Sequence, residues 1–229
     1  MRICVCGAAC VGKSTFIKDF LENWPSYQFS GETYRAILDE KNIKLNKEGN
    51  QESQEAILNC LLDAAMEYPK DSKVVHDRGT LDNLVYTLRL KGKDDDCIDD
   101  NFLQRTFQLV KESMFFYDVI FYIPYNDQFN TDEVKETRET DVEFNSEVDN
   151  FFKALISMYH NKNNKIFPFD DERGVPAIIE VFGNREERIE LAKLYIDPDG
   201  EEYSDDDSLI NEFLSPEEVK DLQQENSAN

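Results

Sequence analysis

Short apolar runs alternate with amphipathic stretches along most of the chain, and this alternation predicts a repeated strand–helix order. The first run, Ile3-Cys4-Val5-Cys6, is followed by a helix over residues 14–21 with Phe16, Ile17, Phe20 and Leu21 on one face. After the Trp24-Pro25-Ser26 break, residues 27–30 predict a short second strand that delivers Gly31-Glu32-Thr33-Tyr34-Arg35 to its C-terminal end. A polar segment over 42–50 leads into a helix over 51–68, whose apolar positions are Ala56, Ile57, Cys60, Leu61, Ala64 and Ala65. Lys73-Val74-Val75-His76 reads as a buried strand ended by Asp77-Arg78-Gly79. Helices follow over 81–90 and 102–114, separated by an acidic loop. Residues 117–123 form the clearest strand, stopped by Pro124. A charged segment over 126–145 then precedes a helix over 146–161, a last strand over 177–181 and a last core helix over 185–195.

Continuous apolar strands alternating with helices predict an α/β fold, with about five parallel strands covered by helices on both faces. Residues 1–196 carry this pattern. From Asp197 the chain turns to Asp, Glu, Ser and Asn, so residues 197–229 read as an acidic tail, ordered in part at most. That tail either shields the core, docks on a basic surface or is simply solvated.

Composition narrows the partners. Among 229 residues, 25 are basic and 48 acidic, giving a formal net charge of −23. Such a surface repels nucleic acid and anionic membranes at long range, although a local basic pocket is compatible with it. No apolar run is long enough to span a bilayer and the N-terminus enters a strand directly, which predicts a cytoplasmic protein with no membrane partner. Five cysteines without C-x-x-C spacing read as apolar fillers in a reducing compartment, with Cys10 either oxidisable or a tolerated loop residue. Oligomeric state is not set by these features.

Between the first strand and helix lies Gly7-Ala8-Ala9-Cys10-Val11-Gly12-Lys13-Ser14, a complete G-x-x-x-x-G-K-[ST] phosphate-binding loop, which assigns the fold to the P-loop NTPases. Gly7 and Gly12 let successive N–H groups turn inward around a phosphate chain, and the helix that follows offers its unpaired donors to the same anion. Lys13 supplies a mobile charge for the outer phosphates, while Ser14 presents a hydroxyl to the accompanying Mg2+. ATP with Mg2+ is the implied cofactor pair.

In open parallel sheets ligands bind beyond the carboxyl ends of the strands, and three polar clusters fall there: the loop, Glu32 with Arg35, and Asp77 with Arg78. Asp77 either holds the metal, accepts a proton from an attacking hydroxyl, or caps the next helix. Arg78 is placed to clamp a phosphoryl oxygen. Glu32 is either a base with Arg35 as an acceptor-site cation, or both form a structural ion pair. In the charged segment over 134–141, Arg138 is the candidate lid arginine, with Arg105 and Lys135 as lesser ones; a solvated loop is the alternative.

The order of these motifs, with Leu81-Asp82, Arg138-x-x-Asp141 and Val181-Phe182-Gly183-Asn184-Arg185-Glu186-Glu187-Arg188, resembles the NadR-like ATPase/kinase domain family. That family includes a ribosylnicotinamide kinase domain and many phage proteins. More distantly the chain is similar to thymidylate and deoxynucleoside kinases. The resemblance covers about residues 1–196 and implies an α-helical lid bearing Arg138. It also implies ATP and magnesium binding by Gly12, Lys13, Ser14 and Thr15, with Asp77 as the strand-end acid. Residues 183–188, Asn184 and Arg185 among them, would wall the adenine, and Trp24 and Tyr34 are the aromatic candidates for stacking on a nicotinamide ring.

The expected activity is transfer of the γ-phosphate of Mg-ATP to a nucleoside, nucleotide or related small metabolite. Two alternatives stand beside it: a kinase acting on a polynucleotide end or modified DNA base, and a nucleotide-regulated binding protein or ATPase switch.

Overall fold

In the computed structural model, which describes residues 1–31, 49–94, 96–126, 141–161, 167 and 174–203, strands and helices alternate. The order is β1 (Arg2–Cys6), α1 (Lys13–Asn23), β2 (Gln28–Phe29), α2 (Gln51–Met66), β3 (Val74–Asp77), α3 (Thr80–Lys93), α4 (Asp100–Ser113), β4 (Val119–Tyr122), α5 (Val142–His160), β5 (Ala177–Glu180) and α6 (Arg185–Lys193). All strand pairs are parallel, in the spatial order β2-β3-β1-β4-β5. The three central strands are buried along their whole length, which is why they read as unbroken apolar runs.

Alternation along β4 shows how the sheet is covered. Phe121 faces α1, with its ring 5.5 Å from Phe16 and 6.2 Å from Phe20. Tyr122, the next residue, stacks on Phe152 of α5 at 5.5 Å, on the opposite face. Helix α6 packs beside α1, while α3 packs against α2, α4 and α5. The fold is therefore an α/β sandwich with a five-stranded parallel sheet at its centre. β1 lies between β3 and β4, so the chain reverses its direction of travel there and opens a crevice at its carboxyl end.

Helix starts follow their caps. Asp99 accepts from Phe102 N at the start of α4, and Asn50 forms a reciprocal cap with Ser53 at the start of α2. Asp141 accepts from Phe144 N at 2.8 Å, so α5 begins at Val142 and not at the expected Ser146. Val142-Glu143-Phe144-Asn145 follows a long charged stretch and reads as part of it, although Asp141 caps the helix that these residues begin. The helical lid expected over 134–141 falls, except for Asp141, outside the described residues.

Beyond α6, residues 197–203 contact the core. Trp24 Nε1 donates to the Asp197 carbonyl at 2.7 Å, the Tyr27 hydroxyl donates to the Gly200 carbonyl at 2.7 Å, and Lys73 Nζ reaches Asp199 O and the Glu201 carboxylate. A single antiparallel bridge links Ile196 and Glu202. Trp24 is buried and stacks on Phe20 at 4.5 Å, so it is a core residue and not a stacking platform for a ligand. Tyr34 lies outside the described residues.

Candidate nucleotide site at the strand tips

The tips of β1, β3 and β4 converge on the phosphate loop. Val5 pairs with Asp77, Arg78 N donates to Val5 O at 3.0 Å, and Ile123 N donates to Cys6 O at 3.0 Å. Gly7 has φ +142°, and a Cβ there would stand 2.5 Å from the Ile123 carbonyl oxygen, so neighbouring backbone and local conformation both demand glycine. The chain leaving β4 is held in turn by α5: Asp149 Oδ1 accepts from the Tyr122 hydroxyl at 2.5 Å and from Tyr125 N at 2.8 Å.

Gly12 caps α1 in the left-handed region, with φ +91°, and no side chain caps the helix. The first turn carries no acidic residue, which leaves its N–H groups and positive dipole end for an external anion. Ser14 and Thr15 are half-buried in that turn. Lys13 is buried, and its ammonium donates to the Gly7 and Ala8 carbonyls at 3.0 and 2.5 Å. Burial, reinforced by the Arg78 charge, lowers its pKa to about 7.

Asp77 is buried beside the loop at the end of β3, and its Oδ1 has no hydrogen-bond partner. It does not cap α3, whose N-cap is Gly79. His76, one residue earlier, is packed between the Tyr68 and Tyr117 rings at 5.5 and 5.8 Å, and burial lowers its pKa to about 4. Arg78 has φ +78°, a left-handed conformation uncommon for a side-chain-bearing residue. Its Nη1 donates to Asp82 Oδ1 at 2.9 Å, and its guanidinium lies 5.3 Å from the Tyr86 ring centre.

The structure also draws in Asp82, which had figured only as a letter in the resemblance motifs, and gives Arg188, expected on the adenine wall, a contact with the loop. Asp82, 1% exposed, accepts from Gly79 N at 3.1 Å and lies 3.4 Å from Gly7 N. Arg188 reaches from α6 to donate to Val11 O at 2.8 Å and Gly183 O at 2.9 Å. Asn184 caps α6, accepting from Glu186 N and Glu187 N, while Arg185 forks onto Asp19 at 2.9 and 2.5 Å. Asn184 and Arg185, two of the residues expected on the adenine wall, thus have protein partners, and Arg188 of the same stretch touches the loop.

Arg105 pairs with Glu55 in a cleft of about 440 Å³ lined by Gln51, Glu55, Asp99, Asn101, Phe102 and Arg105, none of which belongs to the phosphate loop. Glu32, Arg35, Lys135 and Arg138 lie outside the described residues. Among the described residues no cluster of three or more His, Cys, Asp or Glu side chains is arranged to hold a metal, and no helix is long and apolar enough to cross a membrane. None of Cys4, Cys6, Cys10, Cys60 and Cys97 is in a disulfide.

Comparison with solved structures finds the same architecture in proteins of low identity. The NadR protein in complex with NR aligns with a TM-score of 0.57 at 15% identity, over 84% of this chain and 50% of that one. Deoxyadenosine kinase from M. mycoides, solved with dCMP and dCDP, aligns with a TM-score of 0.56 at 13% identity, over 84% of this chain and 96% of that one. Thymidylate kinase from Candida albicans aligns with a TM-score of 0.52 at 14% identity, over 84% and 89%. These are the groups that the order of motifs resembled. The chain spans about half the length of the NadR protein it matches. No curated protein sequence matches it. A family profile described as AAA domain matches residues 2–188, most of the chain, and so the protein belongs to the AAA domain family.

Proposed function

We propose that this protein is a phosphotransferase that moves the terminal phosphoryl group of Mg-ATP to a nucleoside, nucleotide or related small metabolite. The observation that carries the reading is a buried loop lysine at the same strand tips as a buried carboxylate whose Oδ1 lacks a partner. An unsatisfied buried carboxylate oxygen is costly unless something binds it, and at this position that something is a cation or an acceptor hydroxyl.

The loop N–H groups and the open first turn of α1 hold the phosphates, and Lys13 leaves its own loop carbonyls to follow the charge of the outer ones. Ser14 and Asp77 are the residues that would hold Mg2+. The metal, when bound, neutralises phosphate oxygens and orients the terminal group for in-line attack. Arg78, whose guanidinium lies against Asp82 and beside the Gly7 carbonyl, is assigned to the acceptor side. Glu32 and Arg35 are assigned to the acceptor, and Arg138 to the closing segment that excludes water during transfer. The low-identity likeness to a NadR protein holding NR and to a deoxyadenosine kinase holding dCMP supports a nucleoside-like acceptor class. The net charge of −23 weighs against a polynucleotide.

The test is an ATP-consumption screen across nucleosides, nucleoside monophosphates, nicotinamide riboside and short DNA oligomers. We expect acceptor-dependent turnover that disappears in a folded Lys13→Ala variant. Undiminished turnover in that variant overturns the site, and hydrolysis indifferent to every acceptor overturns the transferase in favour of an ATPase switch.

A further inference from the structure

We infer that Asp82 is a positioning residue that ties the phosphate loop to the Asp77-Arg78-Gly79 turn, holding the donor and acceptor sides of the site in one register. A first-turn Asp commonly does no more than cap its own helix, and the Oδ2 bond to Gly79 N at 3.1 Å is such a cap. The other oxygen has no part in capping. Oδ1 accepts from Arg78 Nη1 at 2.9 Å and lies 3.4 Å from the N–H of Gly7, 75 residues away in sequence. Arg78 Nη1 in turn lies 3.5 Å from the Gly7 carbonyl. Both polar groups of Gly7 therefore face one ion pair, and that pair is almost wholly buried, with side-chain exposures of 11% for Arg78 and 2% for Asp82.

Two further features give the link a purpose beyond local stability. Arg78 sits in a left-handed backbone conformation, which persists only where surrounding contacts over-determine it, and the carboxylate supplies contacts to both its side chain and the following N–H. The Gly7 carbonyl is also one of the two oxygens on which Lys13 rests. When Lys13 departs toward a phosphate, the Arg78–Asp82 pair keeps the Gly7 peptide plane from turning. The acceptor-side guanidinium and the mouth of the phosphate cradle thus share one carboxylate, and the spacing between reacting groups depends on it.

The experiment uses Asp82→Asn in the full chain, because the amide keeps the side chain's size but offers one accepting oxygen in place of two. The first arm is amide hydrogen exchange without nucleotide, read on peptides covering residues 7–12 and 78–82. We expect exchange in both to accelerate by about tenfold in a variant that still melts cooperatively. Acceleration confined to 78–82, with the phosphate loop at the parental rate, overturns the proposal and leaves Asp82 a helix cap. If Asp82→Asn fails to fold, Arg78→Gln, which leaves the carboxylate in place, must accelerate exchange in 7–12 by the same link.

The second arm rests on the phosphotransfer reading: kcat should fall by about tenfold to a hundredfold while KM for ATP changes by less than about threefold. A loss of activity that only mirrors the loss of folded protein contradicts the positioning role. A parent with no transferase activity defeats the functional reading alone, since the exchange arm needs neither ATP nor acceptor.

Discussion

Arg188 donates from Nη1 to the carbonyl of Val11 across a sequence separation of 177 residues, so the last helix of the sheet braces the phosphate loop from outside. Replacing Arg188 by Ala leaves the Val11 and Gly183 carbonyls without their charged donor and should cost about 2–3 kcal/mol of stability. Denaturant unfolding measures the loss. Gly12→Ala should be worse placed still, since a Cβ there stands 2.9 Å from the same Nη1 in a backbone region that side chains avoid. Its nucleotide affinity, read by calorimetry, should fall while Arg188→Lys retains more than Arg188→Ala.

Lys13 sets a pH dependence whose sign can be worked out. Its pKa of about 7 in the free protein lies below its ordinary value, because burial disfavours the ammonium. A bound polyphosphate favours the ammonium again, so binding takes up a proton wherever the free side chain is neutral. Affinity for ADP should be flat below pH 7 and weaken above it, approaching about tenfold per pH unit. Calorimetry at pH 8 in buffers of different ionisation enthalpy should show the uptake in the parent and none in Lys13→Met. Between pH 7 and 10.5 the unfolded lysine binds a proton that the folded one does not, so this group's contribution to folding stability rises with pH there.

His76 acts on the acid side. Burial first, then the Arg2 charge, lowers its pKa to about 4, while an unfolded imidazole titrates near 6.5. Its contribution is complete above pH 6.5 and is lost as pH falls toward 4, a span that amounts to roughly 3 kcal/mol at most. His76→Phe removes that loss and also removes a buried Nε2 that lacks a partner. The stability difference between variant and parent should therefore widen in the variant's favour between pH 6.5 and 4.5 in urea titrations.

Gly79 is required by its neighbours and not by its dihedral angles. A Cβ there would stand 2.6 Å from Cys4 Sγ and 3.1 Å from the Tyr117 hydroxyl. Gly79→Ala should destabilise by about 1–3 kcal/mol, and Cys4→Ala introduced alongside it should recover part of that, giving a non-additive cycle. Additive effects would show that the strand and the turn do not press on one another.

The contacts of residues 197–203 can be tested by comparing a chain cut after Ile196 with one cut after Tyr203. The shorter chain should melt about 5–10 °C below the longer one, because Trp24, Tyr27 and Lys73 lose their partners.

That last case shows where sequence reading reaches and where it stops. The buried strands, their parallel order and the phosphate loop were legible because each is written in local pattern: apolar runs, helical spacing, two glycines and a lysine at set intervals. Residues 197–203 read as the start of an acidic tail ordered in part at most, and which part could not be read, because three of their contacts are made by the carbonyls of Asp197, Asp199 and Gly200, which composition does not encode. Asp82 looked like any acidic residue in a first helical turn, and only the fold brings Gly7 within its reach. Arg188 stands one helical turn beyond Asn184 and Arg185, and the choice between arginines was decided by Asp19, which takes Arg185. Trp24 advertised itself as a ligand platform, but its neighbours Phe20 and Asp197 enclose it.

The near-contact of Gly7 with the Ile123 carbonyl makes the floor of the phosphate cradle a party wall with the outgoing end of β4. Asp149 clasps that outgoing chain through Tyr122 and Tyr125, so the wall is also bolted to the helix that begins just past the segment bearing Arg138. Engineers who graft new sequence after Pro124 to change acceptor preference will find that they have altered the grip on ATP as well.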